Sequence, residues 1–177
     1  MTNNDIVVRK TKQSDAEQYI TLLDYVWKIT YSHIFPEEVF VEREKSAPER
    51  IATFDEKKRN NEQTICCVAE KNGIIVGVML GTINSDYEYF KEKNYADLCV
   101  LYVHPDYHKK GIATRLKAEF IKFIKSKGFN KYVIGVLKEN YNARKVYERW
   151  GGKLDNYTQG YKKLDKEYPE VFYTYEI

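Results

Sequence analysis

The feature that most constrains the fold is a buried strand followed by a short turn and a helix that begins after a glycine. Residues Ala96–Val103 (ADLCVLYV) are apolar on both alternating faces, which is typical of a central strand covered on both sides. The strand ends at Pro105, and from Ile112 apolar residues recur every fourth position until Gly128, which predicts a helix. Such a strand–turn–helix unit favours an α/β fold.

The loop inside this unit has the residues of an anion site. Gly111 precedes the helix and Ala113 lies in its first turn, so a ligand can approach the backbone closely. The first amides of a helix lack partners within it, and the helix dipole adds positive charge there. Lys109, Lys110 and the Thr114 hydroxyl add charge and a donor. Taken alone, the loop fits a plain strand–helix joint equally well.

Further strands and helices surround this unit, and together they predict an α/β fold with a mixed sheet. Strands are predicted at 5–9, in a hairpin of 64–70 and 74–83 that turns at Asn72-Gly73, at 132–137 and at 170–177. A capping box of Ser14 and Glu17 predicts the start of a helix that runs to about Tyr31. Pro36 predicts the start of a second helix, and a further helix is predicted over 143–150, ending before Gly151. Residues 48–61 fit either a helix or irregular structure, and Cys99 is interpreted as a small core residue.

Composition and charge limit the class of protein to which the chain can belong. The 177 residues suit one domain, 1–177, and no apolar run is long enough for a membrane helix. No leader is visible and the three cysteines are poorly spaced for disulfides, so we expect a cytoplasmic protein with free thiols and no membrane partner. Residues 104–153 carry 13 Lys and Arg against 4 Asp and Glu, whereas the remainder is acidic in balance, which favours a polyanionic ligand near the later half.

Two motifs resemble those of the GNAT N-acetyltransferase superfamily. His108-Lys-Lys-Gly-Ile-Ala113 is similar to the family's [Q/R]xxGx[G/A] signature, with His108 where Gln or Arg is usual. Asn140, Ala143, Tyr147 and Gly151 have the spacing of its NxxAxxxYxxxGF segment, although Gly follows where the family has Phe. The resemblance implies a mixed sheet of about six to seven strands, flanked by about four helices and splayed between the fourth and fifth strands.

The resemblance also implies the co-substrate, acetyl-CoA, and the residues that would hold it. Its pantetheine arm would pair with the backbone of Leu101, Tyr102 and Val103, and its pyrophosphate would lie on the loop and first helical turn. Asn140 would bind the pantetheine arm, and Ala143 would allow the co-substrate to approach closely. Lys145 is a candidate to bind the nucleotide's extra phosphate. The implied cradle comprises His108, Lys109, Lys110, Gly111, Ile112, Ala113 and Thr114.

The catalytic assignments follow from the same resemblance. Tyr147 matches the tyrosine that protonates the departing thiolate, although it also fits the apolar stripe of its helix. The acceptor amine must lose a proton, which costs about 4.6 kcal/mol for a lysine-like amine at pH 7. Asp97, at a place where many family members carry Glu, is the first candidate base, with Glu70 and Asp86 as weaker ones, and a structural role for Asp97 stays open.

The sequence predicts the amine acceptor less specifically than the co-substrate. Trp27, Tyr31 and Pro36 form a W-x3-Y-x4-P pattern on the helices that shape the acceptor pocket in this family, and the acidic balance outside 104–153 favours a cationic small amine such as a polyamine. A protein N-terminus or lysine is an alternative acceptor, and a non-catalytic acyl-CoA-binding module is an alternative class. A nucleic-acid binder lacks a recognised motif, and so we expect no nucleic-acid partner.

Two expectations concern metal and assembly. His104 and His108 are four residues apart, but Pro105 prevents a helical arrangement and no further ligands are evident, so no metal is expected. A homodimer is considered as an assembly of this chain.

Overall fold

A seven-stranded mixed sheet with helices on both faces forms the framework. The computed structural model describes residues 5–177. Along the sheet the strand order is β1-β2-β3-β4-β5-β7-β6, in which β4 and β5 are parallel and the other neighbours are antiparallel. The strands are β1 (Ile6–Lys10), β2 (Thr64–Lys71), β3 (Ile74–Thr82), β4 (Ala96–Val103), β5 (Lys131–Leu137), β6 (Lys153–Lys163) and β7 (Lys166–Glu176). The α/β class predicted from the sequence is confirmed.

Six α-helices accompany the sheet in the described residues. They are α1 (Ala16–Tyr31), α2 (Glu37–Ala52), α3 (Glu56–Arg59), α4 (Glu88–Glu92), α5 (Ile112–Ser126) and α6 (Tyr141–Arg149). Short 3-10 turns occur at Gln13–Asp15 and Pro105–Tyr107. No helix within residues 5–177 has the length and apolar character needed to cross a bilayer.

Alternation along β2 shows how the sheet is covered on both faces. Cys66 and Val68 are buried with residues of α1, whereas Cys67 and Ala69 are buried with residues of α5. Successive strand residues point to opposite faces, so α1 and α5 lie on opposite sides of the sheet. The central strands are therefore apolar on both faces, as their sequences predict.

The strands β4 and β5 part soon after they begin. Their parallel pairing consists of Ala96 with Tyr132 and Asp97 with Val133. Beyond this point β4 remains beside β3 while β5 pairs along its whole length with β7. The predicted splay between the fourth and fifth strands is confirmed. Cys99 lies just past the split and is exposed, so its interpretation as a core residue is wrong.

The N-terminal half departs from the predicted caps. Ser14 and Glu17 do not form the capping box. Instead the Asp15 carboxylate accepts from the Lys12 amide at 2.7 Å and is bound by Arg9, also at 2.7 Å. The helix that begins at Pro36 continues through Pro48, and residues 48–61 are largely helical. Residues 1–4, part of the stretch inspected for a leader, lie outside the described part of the chain.

The largest difference lies after α6. The sequence analysis assigns no strand between Gly151 and Glu170, whereas the structure has β6 there and begins β7 at Lys166. All residues of β6 are exposed or half-buried, because β6 is an edge strand of the sheet. A strand with neither face fully covered lacks the apolar alternation by which strands are recognised.

Candidate active site

The loop before α5 has the geometry of an anion cradle. Gly111 has φ of +75°, a conformation that favours glycine, and a Cβ there would meet no atom within 4 Å. The first helical bond runs from the Arg115 amide to the Gly111 carbonyl at 3.0 Å. The amides of Ile112, Ala113 and Thr114 come before Arg115 and therefore have no carbonyl acceptor within the helix. Open space above unpaired helical amides fits the pyrophosphate of a nucleotide.

Two basic side chains of the loop are turned toward the protein. A ring nitrogen of His108, Nε2, lies 2.8 Å from the Val103 carbonyl oxygen, so this ring ties the loop to the end of β4. The Lys110 ammonium donates to the Asp106 carbonyl at 2.9 Å and lies over the Tyr107 ring. Lys109 and Thr114 are exposed on the solvent side of the cradle.

The second motif places its residues at the start of α6, across the split from β4. Asn140 is the N-cap of α6: its side-chain oxygen accepts from the Ala143 amide at 3.2 Å. The buried Asn140 side chain also interacts with the Tyr31 hydroxyl. Ala143 is half-buried against the core, and Lys145 is exposed.

Three tyrosines meet near the mouth of the split. The hydroxyls of Tyr31 and Tyr102 are 3.2 Å apart, which joins α1 to β4. Tyr147 packs its ring against Tyr173, with centroids 5.9 Å apart, and its hydroxyl is close enough to interact with Tyr31. Burial raises the pKa of the Tyr147 hydroxyl above its ordinary value of 10.0, so this group keeps its proton at neutral pH.

A cavity of about 520 Å³ extends from the split on the α1 side of the sheet. Aromatic and aliphatic side chains form much of its wall, and three carboxylates and one guanidinium also reach it. The lining residues include Trp27, Tyr31, Phe35, Arg43, Asp86, Tyr87, Asp97, Gln159, Tyr161 and Glu170. A concave, largely apolar space with a few convergent polar groups is typical of a small-molecule site.

The predicted acceptor residues Trp27 and Tyr31 both lie in this wall. The Trp27 ring stacks on Phe35 with centroids 5.2 Å apart, and the Arg43 guanidinium carbon lies 4.5 Å from the Trp27 ring centroid. Arg43 is also bound to Asp24, with Nε and Oδ1 2.6 Å apart. These contacts make Trp27 part of the hydrophobic core and of the cavity at once.

Asp97 lies at the bottom of the split and is only 3% exposed. Its carboxylate accepts from the Ser85 hydroxyl at 2.9 Å. Burial raises the pKa of Asp97 from 3.8 to about 7, and the nearby Asp86 and Glu170 add to the effect. Of the weaker base candidates, Asp86 lines the cavity, whereas Glu70 is bound to Arg9 at 2.6 Å between β1 and β2.

Glu170 is a cavity residue that the sequence analysis missed. It begins the buried part of β7, opposite Leu137, and is 7% exposed. Its carboxylate accepts from the Tyr87 hydroxyl at 3.2 Å and from the Gln159 amide at 3.3 Å. Burial raises the pKa of Glu170. The sequence signal that could have identified Glu170 is a single carboxylate at the start of an apolar strand. A Glu at such a position is seldom buried unless it has a partner or a function.

The structure contains no candidate metal centre in the region it describes. No group of three or more His, Cys, Asp or Glu side chains within residues 5–177 is arranged to hold an ion. His104 stacks on Tyr25 and its Nδ1 accepts from the Asp106 amide at 3.3 Å, while His108 contacts the end of β4.

Comparison with known proteins agrees with this geometry. Residues 27–152 match the model of the acetyltransferase (GNAT) family. A spermidine N(1)-acetyltransferase of Thermoplasma acidophilum is 26% identical over 166 residues, 92% of this chain and 98% of the relative. The crystal structure of PaiA N-acetyltransferase from Thermoplasma acidophilum in complex with coenzyme A has a TM-score of 0.67 at 22% identity and covers 100% of both chains. An N-acetyltransferase structure from Staphylococcus aureus has a TM-score of 0.70 at 23% identity, over 98% and 99%.

The chain therefore belongs to the acetyltransferase (GNAT) family. It is an acetyl-CoA-dependent N-acetyltransferase, as its two motifs predicted. The cradle follows the end of β4, the split separates β4 from β5 in the interior of the sheet, and the cavity with its carboxylates extends from the split.

The buried Asp97 predicts a pH-dependent stability difference. The folded state holds the Asp97 proton up to about pH 7, whereas the unfolded chain releases it near 3.8. Between these values the unfolded state binds fewer protons, so the free energy of unfolding falls as pH rises. An Asp97→Asn variant does not show this decrease in the free energy of unfolding. The difference in free energy of unfolding between this variant and wild type should therefore grow between pH 4 and 7, by at most about 4 kcal/mol.

Urea unfolding of both proteins across this range measures the difference. The exposed Asp165→Asn on the β6–β7 turn is the matched control for a change in net charge alone. A constant offset between the Asp97→Asn and wild-type curves would contradict the raised pKa.

Proposed function

We propose that this protein acetylates a primary amine of the polyamine class by direct attack on acetyl-CoA in a ternary complex. The observation that carries the proposal is the cavity at the split, whose wall combines the carboxylates of Asp86, Asp97 and Glu170 with aromatic rings. Cations are attracted to both kinds of group. The relative named as a spermidine N(1)-acetyltransferase over nearly its whole length supports the same acceptor class.

The chain's own residues suggest how acetyl-CoA would be held. The amides from Lys109 to Thr114 would receive the pyrophosphate, with Gly111 leaving the space above them open. Past Asp97, β4 has no strand partner on the β5 side, so the backbone of Leu101–Val103 can pair with the pantetheine arm like an added strand. Asn140 would approach the arm from α6, and Lys145 is available to the nucleotide's extra phosphate.

We assign the role of base to Asp97 and the role of acid to Tyr147. The bound ammonium gives one proton to the Asp97 carboxylate, directly or through water. The amine nitrogen then forms a bond to the acetyl carbon while the carbon–sulfur bond breaks, and the Tyr147 hydroxyl protonates the departing sulfur. The second proton lost by the nitrogen restores Tyr147. A carboxylate with a pKa of about 7 is suited to accept a proton near neutral pH.

A peptide amine is the second candidate acceptor. The cavity is bounded by α1, α2 and the β6–β7 hairpin, through Tyr31, Arg43 and Tyr161. These walls favour a slender acceptor over a folded protein surface.

An acceptor panel tests the proposed function. Release of CoA thiol is measured with spermidine, with a peptide carrying an internal lysine and with a peptide carrying a free N-terminus. We expect kcat/KM for spermidine to exceed that for either peptide by at least about tenfold, because buried carboxylates distinguish a polycation from a single amine. Greater activity with a peptide would overturn the assigned acceptor class.

Substituting Gly111 tests the cradle. Gly111→Ala introduces a Cβ above the helical amides, and we expect the Kd for CoA to rise by about tenfold or more. Gly128→Ala is the matched control, because Gly128 follows α5 with φ of +81° and equally open surroundings. Both variants should lose a similar stability of about 1 kcal/mol. Calorimetry measures affinity, and equal affinities in the two variants would refute the cradle.

Substituting Tyr147 tests the acid. Tyr147→Phe should lower kcat by about a hundredfold, the usual contribution of a positioned proton donor, with little change in the Kd for CoA. Tyr141→Phe serves as the control, since Tyr141 lies on the same helix and is 62% exposed. Steady-state kinetics with saturating amine distinguishes the two, and an undiminished kcat would remove the acid role.

A further inference from the structure

Glu170 and Asp97 are two buried carboxylates without a cationic partner. No ion pair within residues 5–177 includes either side chain. The guanidinium that reaches the same cavity, Arg43, is already bound to Asp24 and stacked over Trp27. Burying a carboxylate without a cation is costly, and a positively charged ligand in the cavity would offset this cost.

Local geometry holds Glu170 in a fixed position within the cavity. Tyr87 donates to one carboxylate oxygen and Gln159 to the other, at 3.2 and 3.3 Å. Each oxygen keeps acceptor capacity beyond this single bond. Gly135 on β5 makes the arrangement possible, because a Cβ there would lie 2.9 Å from Glu170 Oε1 and 3.0 Å from the Tyr87 hydroxyl. Tyr87 and Glu170 therefore occupy the space that a side chain at position 135 would fill.

Other groups that attract an ammonium lie near Glu170 in the same cavity. The aromatic wall of Trp27 and Tyr161 already attracts one ammonium of the chain, since Lys163 Nζ lies 5.8 and 5.5 Å from their ring centroids. A second carboxylate, Asp97, lines the same cavity and is near enough to interact with Glu170. Two separated carboxylates within one cavity suit a ligand with two separated positive charges.

We propose that Glu170, positioned by Tyr87 and Gln159 over Gly135, binds the second ammonium group of the acceptor, so that diamines are preferred over monoamines of equal length. This inference rests on the proposed acetylation of an amine at the Asp97 end of the cavity. Glu170 then determines specificity: it anchors the far end of the acceptor while the near amine reacts.

The test compares acceptors that differ in one ammonium group. Putrescine is paired with butylamine, and cadaverine with pentylamine, and kcat/KM is measured by CoA-thiol release. For wild type we expect the diamine of at least one pair to be favoured by about tenfold or more, the usual effect of a charge-assisted contact. In Glu170→Gln this ratio should fall close to one through a higher diamine KM.

Two further variants separate binding from folding. Glu167→Gln removes an exposed carboxylate from the same strand and should retain the wild-type ratio. Tyr87→Phe keeps the Glu170 carboxylate but removes one of its hydrogen bonds, and should lower the ratio partway. A ratio unchanged in Glu170→Gln, or a wild type indifferent to the second ammonium, would overturn the proposal.

Equilibrium binding keeps this inference separable from the proposed function. Calorimetry with putrescine and cadaverine, in the presence of CoA, measures diamine affinity without turnover. We expect the Kd to rise by about tenfold or more in Glu170→Gln. If wild type acetylates no amine, the proposed function fails, and the calorimetric comparison alone decides the Glu170 site. Equal affinities in wild type and Glu170→Gln would then reject it.

Discussion

The early parting of β4 and β5 is the constraint on which the rest of the structure depends. Two residue pairs join these parallel strands, after which β5 pairs with β7 and the backbone of β4 is left without a strand on that side. A parallel edge left open in the middle of a sheet offers hydrogen-bonding groups to an extended ligand. The same gap opens the cavity on the α1 face, so the proposed paths of the co-substrate and the acceptor meet at Asp97.

Charge is distributed along this path in a way that suits its two ligands. The cradle before α5 combines helical amides with a region in which 13 basic residues outnumber 4 acidic ones. The cavity beyond the split has the opposite character, because Asp86, Asp97 and Glu170 line it and Arg43 is engaged by Asp24. An anionic co-substrate and the proposed cationic acceptor would thereby be attracted to different ends, which would limit competition between them. Between the two ends lie the hydroxyl groups of Tyr31, Tyr102 and Tyr147.

Elements with strong local signals were predictable from the sequence. The hairpin at Asn72-Gly73, the apolar β4 and the four-residue repeat of α5 each carry their signal within a short window. The edge strand β6 was missed because its residues are half-buried at best, and its place is set by pairing with β7. Cys99 was misread because the parting of β4 from β5, which exposes it, is a tertiary property. Glu170 was missed for a related reason. Its hydrogen-bond partners Tyr87 and Gln159 are 83 and 11 residues away in the sequence. The contact between Tyr87 and Glu170 also requires that position 135 carry no side chain, which Gly135 provides.

Amide hydrogen exchange with and without coenzyme A tests the central claim most directly. If the unpaired backbone along this path receives the co-substrate, binding should slow exchange at Gly111, Ile112, Ala113 and Thr114 and along the part of β4 beyond Asp97. The amide of Gly128, at the other end of α5, should exchange at an unchanged rate. Saturating coenzyme A that leaves the cradle and β4 as exchangeable as before, while protecting another surface, would contradict the account.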